Sequence, residues 1–402
     1  MNIRHMEFSS NIASLQPSAT IAVSTLAKQL RSEGRDIIDL SAGEPDFDTP
    51  SWISAAAIAG IESGQTRYTP VAGIPELRKA VANYLGTVSK DGVDWEGVVV
   101  SSGAKHALFN TAFACFGPGD EVLVTTPYWV SYPEIISLSR ADSVFVSGNE
   151  QDNFLVTTKD LDAAYTSKTK GLILCSPSNP TGGVYSLEQL EALVSWAKER
   201  DLVLIADEIY REIYFGSGRV HAPSVLEIPK KKRGNLVLID GASKSFAMTG
   251  WRIGFSYSDP ELAKKFASIQ SHSTSNPASP SQMAALSAFG NLDKAKEEVR
   301  IMNNAFVRRK DLVAGFLREK LPQLSFVEPE GAFYFFIKID SLFGDDHKGS
   351  VDVCSWILQE AGVAMVPGSA FGDDRFARIS FATSDDLLVE ALGRVASLLD
   401  KS

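Results

Sequence analysis

Five apolar runs in the middle of the chain each end in side chains that can do chemistry. The run 98–101 leads into Gly103, Ala104 and Lys105, and 121–125 leads into Tyr128 and Trp129. The run 172–175 leads into Asn179, 202–206 into Asp207 and Tyr210, and 236–239 into Ser243 and Lys244, with Arg252 shortly after. A lysine in a turn of small residues at the end of a buried strand is partly shielded from water, which lowers its pKa and makes its amine a nucleophile. A carboxylate directly after LVLIA is costly at the edge of a core unless a partner meets it. Residues 103–105 open a helix, whose free amides bind anions. Trp129 offers a flat face, and Ser243 and Arg252 offer a hydroxyl and a guanidinium fork.

The elements that must position these groups follow from the pattern around them. The apolar runs read as buried strands, and helical periodicity fills 51–63, 76–85, 103–115 and 186–200, the last opened by a capping box of Ser186 and Gln189. A further strand is expected near 144–146. Such alternation predicts an α/β fold with a mostly parallel sheet covered by helices on both faces. Past residue 255 the pattern changes: helices at 261–270, 281–289, 294–321, 350–361 and 385–399 mix with strands at 324–327, 332–339 and 376–381, an α+β unit. We expect a large domain over 47–290. A smaller one comprises 1–46 and 291–402, with the helix at 18–31 and the strand at 37–40 packing on it.

In an open parallel sheet, ligands bind at the carboxyl ends of the strands, so all five groups are expected to meet in one crevice. Each alone has a plainer reading: a loop lysine, a core tryptophan, a helix N-cap at Asp207, a turn at Asn179-Pro180, an ordinary ion pair at Arg252. One cofactor uses all of them. A pyridine nitrogen takes Asp207, a ring oxygen takes Asn179 and Tyr210, and a flat ring takes Trp129. A phosphate takes 103–105, Ser243 and Arg252, and an aldehyde takes Lys244. That set describes pyridoxal phosphate held as a Schiff base. Competing signatures (G-x-G-x-x-G after a strand, Walker A, HExxH, G-x-S-x-G) do not occur.

At these residues the chain resembles a known family. SPSNPTG, DEIY and SKSFAMTGWRIG are similar to signatures of the fold-type I, class I aminotransferases, and SAGEPDFDTP, RYTPVAGIPELR, PYWVSYPE, EGAFY and VPGSAFG are similar to further blocks of it. The resemblance spans 17–384 and is nearest the branch of aspartate and prephenate aminotransferases. It implies that Lys244 carries the cofactor and moves the substrate proton. Asp207, Tyr210, Asn179 and Trp129 would hold the ring, and Gly103, Ala104, Lys105, Ser243 and Arg252 the phosphate. Tyr68 would reach the phosphate of a neighbouring subunit, which implies a homodimer with shared sites. Arg378, in ARISFAT, would clamp the substrate α-carboxylate beside Gly43, close to Trp129 and Asn179. Thr20 and Lys105 would take a second carboxylate. Gln16, where many members carry lysine, brings a hydrogen bond without charge. The activity implied is transamination with aspartate or glutamate as donor, and 2-oxoglutarate, oxaloacetate or prephenate as acceptor. Aromatic aminotransferases and C–S β-lyases on the same fold are the near alternatives.

Composition fits an ordinary soluble protein. The chain has 402 residues, 44% hydrophobic, and a net charge of −10, which disfavours nucleic acid as a partner. The basic cluster at 230–233 reads as a solvated loop. Cys115, Cys175 and Cys354 have neither disulfide nor zinc spacing, and no metal is expected. No signal peptide or membrane span is expected, which points to the cytoplasm. A cofactor-sensing transcription regulator would need a winged-helix domain, and roughly forty residues before SAGEPDF are too few for one.

Overall fold

The structure is a computed structural model that describes residues 8–13, 15, 17 and 19–401. The expectation at Gln16 falls outside the described residues. Strands form where the apolar runs are unbroken: β1 (Val98–Ser101), β2 (Glu121–Thr126), β3 (Asp142–Ser147), β4 (Thr169–Cys175), β5 (Val203–Asp207), β6 (Asn235–Gly241) and β7 (Gly254–Tyr257). They make one sheet in the order β1-β7-β6-β5-β4-β2-β3. The last five of these are mutually parallel, and β7 runs antiparallel to both β1 and β6. Leu172, Ile173, Leu204, Ile205, Val237 and Leu238 are at most 2% exposed, so the central strands are covered on both faces. The fold is thus the α/β arrangement expected. Register sets Asp207 level with Cys175 on one side and Ile239 on the other. The segments leaving β4, β5 and β6 therefore emerge side by side on one edge.

The strand β7 was not anticipated, because GFSY is short and begins with glycine. Its glycine is required by a close approach: a Cβ on Gly254 would lie 2.1 Å from the backbone nitrogen of Ala104. The helix Ala104–Cys115 thereby starts directly on the β7 backbone. Two further helices, Tyr132–Leu138 and Thr158–Ala164, span seven residues each, too few for a helical period to be read. The predicted capping box is present: Ser186 Oγ accepts from the Gln189 amide at 3.2 Å, and Gln189 Oε1 accepts from the Ser186 amide at 2.8 Å.

The remainder of the chain is organised by a four-stranded antiparallel sheet of Val366–Pro367, Phe376–Ser380, Tyr334–Lys338 and Phe326–Val327, with the long helix Leu292–Lys320. The N-terminal segment joins this unit. Ile38–Asp39 pairs in parallel with Val363–Ala364. The helix Ala19–Ser32 buries Ala27 with Ile37, Leu358 and Ala364. Among the described residues no helix is long and apolar enough to cross a membrane.

The basic cluster is solvated as expected at Lys230, Lys231 and Lys232, but not at its fourth residue. Lys230–Arg233 is one helical turn, and Arg233 is buried, donating to the carbonyls of Leu226 and Ile228 at 2.6 Å each. Leu226 and Ile228 are themselves buried, and buried carbonyls need donors.

A second arginine is buried next to β5 and β6. Arg211 is 1% exposed, with Glu212 at 3.3 Å, Asp240 at 3.4 Å and Glu208 at 4.0 Å, and it covers the Tyr84 ring at 4.7 Å. Burial raises Asp240, and raises Glu208 to about 7, while the surrounding carboxylates keep Arg211 charged. Arg211→Met removes the cation these acids share, and breaking such a buried cluster costs about 3–5 kcal/mol. A large fall in the urea midpoint is expected, and an unchanged midpoint would show that the acids are neutral without it.

Candidate active site

The edge formed by β4, β5 and β6 opens on a cavity of about 440 Å³. From the sheet come Asn179, Asp207, Tyr210, Ser243 and Lys244, with Arg252 from the turn before β7. Ala104, Lys105 and Trp129 close one side. Arg378, Gly43 and Thr20 reach the same cavity from the C-terminal sheet and the N-terminal segment. Gly103 stands just behind as the N-cap of Ala104–Cys115, at φ +93°, where a Cβ would lie 2.4 Å from Arg252 Nη2. Tyr68 is the exception. It is 92% exposed and borders a separate surface opening beside Arg67 and Asn276.

Asp207 is the last residue of β5, and its carboxylate turns into the cavity. It accepts from the Tyr132 hydroxyl at 2.7 Å and from the Ile209 amide at 3.2 Å. Burial still raises it to about 6. A cation set against it would return it to the ordinary carboxylate range. Lys244 Nζ donates to the Gly43 carbonyl. Burial lowers the Lys244 ammonium to about 8, helped by the charges of Arg378 and Arg252 and opposed by Glu44 and Asp207. An amine at that value is substantially neutral near pH 8 and can attack a carbonyl.

Arg378 sits in the strand Phe376–Ser380 and is 1% exposed. Its Nη1 donates to Asn179 Oδ1 at 3.0 Å and its Nη2 to the Ser41 carbonyl at 2.7 Å. The guanidinium stacks on Tyr334 at 4.3 Å and on Phe371 at 5.1 Å. Both acceptors are neutral, and burial pulls its pKa down against the opposing effects of the Tyr334 and Tyr210 hydroxyls and the Asp39 carboxylate. An anionic ligand would give it a direct counter-charge. The Tyr210 and Tyr334 hydroxyls share a hydrogen bond of 2.8 Å.

At the other end, the first amides of Ala104–Cys115 precede the first turn bond, which His106 donates to the Gly103 carbonyl at 3.0 Å. Ser243 and Arg252 border the same space. Arg252 holds φ +55°, a strained value for a long side chain, and its Nη1 is fixed on the Thr249 carbonyl at 2.9 Å. Lys105 Nζ lies 4.9 Å from the Trp129 ring centre, and partial burial together with Arg252 lowers its pKa. Amides, a hydroxyl and a guanidinium make a cradle for a phosphate monoester. With a buried carboxylate and a low-pKa amine beyond it, the donor set suits pyridoxal phosphate from end to end.

The family model described as aminotransferase class I and II matches residues 35–395. The chain belongs to this family. Members of this aminotransferase family use pyridoxal 5′-phosphate, in agreement with the cavity's donor set. The chain is 38% identical to the aspartate aminotransferase of Bacillus subtilis (strain 168), over 98% of this chain and 100% of that one. It is 40% identical to a probable aspartate/prephenate aminotransferase of Aquifex aeolicus (strain VF5), covering 98% of each. It is similar in structure to the aspartate aminotransferase from Thermus thermophilus with maleate, with a TM-score of 0.92, 38% identity, and 98% and 100% coverage. The fold is therefore that of the fold-type I aminotransferases.

Sequence reasoning passes over three groups of this aminotransferase site. Tyr132 and Tyr334 are given no role by the sequence, although they lie inside the blocks PYWVSYPE and EGAFY. Ser41 reads as a turn residue, and only its backbone oxygen takes part.

Proposed function

We propose that the protein transfers the amino group of aspartate or glutamate to 2-oxoglutarate or oxaloacetate, and that prephenate is a further acceptor. The observation that carries this is the meeting of Lys244, Asp207 and Arg378 in one cavity, a neutralisable amine with a buried acid and a buried guanidinium. Pyridoxal phosphate, when bound, supplies an aldehyde and an electron-withdrawing ring that stabilises negative charge on the substrate α-carbon.

The chain's own residues divide the rest. Lys244 Nζ holds the cofactor and, when released, takes the proton from the substrate Cα. Asp207, braced by Tyr132, keeps the pyridine nitrogen protonated. Asn179 turns its Oδ1 to Arg378, so its Nδ2 is the group left to donate to the ring oxygen, beside Tyr210. Trp129 covers the ring. The amides at Gly103, Ala104 and Lys105, with Ser243 and Arg252, receive the phosphate. Arg378 and the Gly43 backbone take the α-carboxylate, near Trp129 and Asn179. Thr20 and Lys105, both on the cavity wall, take the second carboxylate.

The domain division at 47–290, with 1–46 and 291–402 forming the smaller unit, belongs to this reading, as does a cytoplasmic homodimer. The exposure of Tyr68 supports the dimer, since a tyrosine so open to solvent is suited to a partner's cavity. Tyr68→Phe should weaken cofactor retention by about tenfold, the worth of one hydrogen bond to a charged group. Equal retention on dialysis would remove Tyr68 from the phosphate site. The reading as a whole is tested by adding aspartate, glutamate or arogenate to the loaded enzyme and following conversion of the cofactor to its amine form. Conversion by an acidic donor is expected. Its absence with all three would overturn the substrate assignment.

A further inference from the structure

Two of the cations that line the cavity, Arg378 and Lys244, are tied to one short segment. Arg378 Nη2 donates to the Ser41 carbonyl at 2.7 Å, and Lys244 Nζ donates to the Gly43 carbonyl, two residues on. The segment is anchored on the C-terminal sheet, with the Leu40 amide on the Ala364 carbonyl at 3.0 Å and the Ser380 amide on the Leu40 carbonyl at 2.8 Å. Asp39 sits at its start. Asp39 Oδ1 accepts from the Ser41 amide at 2.8 Å and from Ser41 Oγ at 2.5 Å. Its other oxygen accepts from Ser24 Oγ at 3.2 Å. Ser24 belongs to Ala19–Ser32, the helix that presents Thr20, Ile21, Ser24 itself, Thr25 and Lys28 to the cavity.

These bonds make an unbroken path from the cavity-lining helix, through the Asp39 carboxylate and the Ser41 backbone, to the guanidinium of Arg378. We propose that Asp39 is a positioning residue that couples the seating of this helix over the substrate to the orientation of the carboxylate-binding arginine. The inference rests on the assignment of Arg378 as the carboxylate clamp. The reason is geometric. Ser41 is 1% exposed, and its carbonyl can aim at Arg378 only while the turn at 39–41 is held closed. A carboxylate that accepts both Ser41 donors fixes that turn, as an Asx turn does. The same carboxylate takes the helix hydroxyl on its free oxygen, so helix and arginine share one brace. A misaimed guanidinium forms one substrate hydrogen bond in place of two. Binding of carboxylates should then suffer more than the chemical step.

The experiment uses the full-length loaded enzyme and maleate, a dicarboxylate without an amino group, with affinity read from the cofactor's absorbance. Asp39→Ala is expected to raise the maleate Kd and the KM for aspartate by about tenfold, with kcat changed by less than about threefold. Asp39→Asn keeps an acceptor for Ser41 and should recover affinity to within about threefold of the unaltered protein, the rescue that a charge effect alone would not allow. Ser24→Ala cuts the link between Asp39 and the helix, at a residue that also borders the cavity, and should raise the maleate Kd by about threefold. Asp39→Ala should already contain that effect, so that the double variant adds nothing further. Asp39→Ala with unchanged maleate affinity, or with a kcat loss at constant KM, overturns the inference. Should Asp39→Ala fail to fold, Ser24→Ala decides: an unchanged Kd there overturns the coupling. Absence of maleate binding by the unaltered enzyme would instead overturn the reading of Arg378, and the inference with it.

Discussion

Lys244→Ala is expected to lower kcat by at least about 10⁴-fold, because it removes both the covalent anchor of the cofactor and the base that moves the Cα proton. The residual protein should still bind pyridoxal phosphate, since the cradle of helix amides, Ser243 and Arg252 is untouched. Its bound cofactor should lose the absorbance band that depends on lysine attachment. Retention of that band would move the anchor to another residue. The same lysine sets a pH dependence in the unaltered chain. Burial favours the neutral amine and lowers its pKa from 10.5 to about 8. At pH 7.5 about a quarter of such amines are neutral, against about one in a thousand for an ordinary lysine. Cofactor uptake by the cofactor-free protein should therefore rise with pH through about 8 and then level off. A midpoint near the ordinary lysine value would refute the account of Lys244 as a desolvated amine.

Arg378→Lys is expected to reduce kcat/KM for aspartate by about 10³-fold while leaving cofactor affinity within about threefold. Lysine keeps the charge but not the planar fork, so it cannot hold a carboxylate through two parallel hydrogen bonds. It also cannot donate to Asn179 Oδ1 and the Ser41 carbonyl while engaging substrate. Two charge-assisted hydrogen bonds at about 2 kcal/mol each correspond to roughly that loss. The effect should fall on donor and acceptor alike, since amino acid and 2-oxo acid present the same carboxylate. A loss confined to cofactor binding would contradict the assignment. So would an undiminished rate with aspartate.

Half of this site is legible in the sequence alone. Asp207, Tyr210, Asn179, Ser243 and Lys244 come directly after apolar runs, and parallel strands deliver the residues at their carboxyl ends to one edge. The anion cradle is legible in part, because glycine before a helical period marks an N-terminus. Arg378 and Gly43 come only through resemblance. Nothing in ARISFAT marks an arginine whose partner Ser41 lies 337 positions away. Tyr132 is obscured by its helix, which is too short to show a period, and β7 by its glycine. The arginine of the basic cluster escapes a local reading because burial depends on which carbonyls need donors nearby.

The chain by itself determined which apolar strands carry which payloads, and hence the existence of a crevice with an amine, an acid and an anion-binding turn. Local hydrophobic period and turn chemistry suffice for that, since each element reports on its own neighbours. The tertiary structure alone decided which distant groups complete the crevice. The N-terminal segment crosses to the C-terminal sheet, sets Ser41 on Arg378 and Gly43 on Lys244, and brings the helix Ala19–Ser32 to the mouth. It also decided the electrostatics. A lysine near 8 and a carboxyl near 6 arise from burial by elements far apart in the chain, and no local pattern encodes the depth at which a charge will lie.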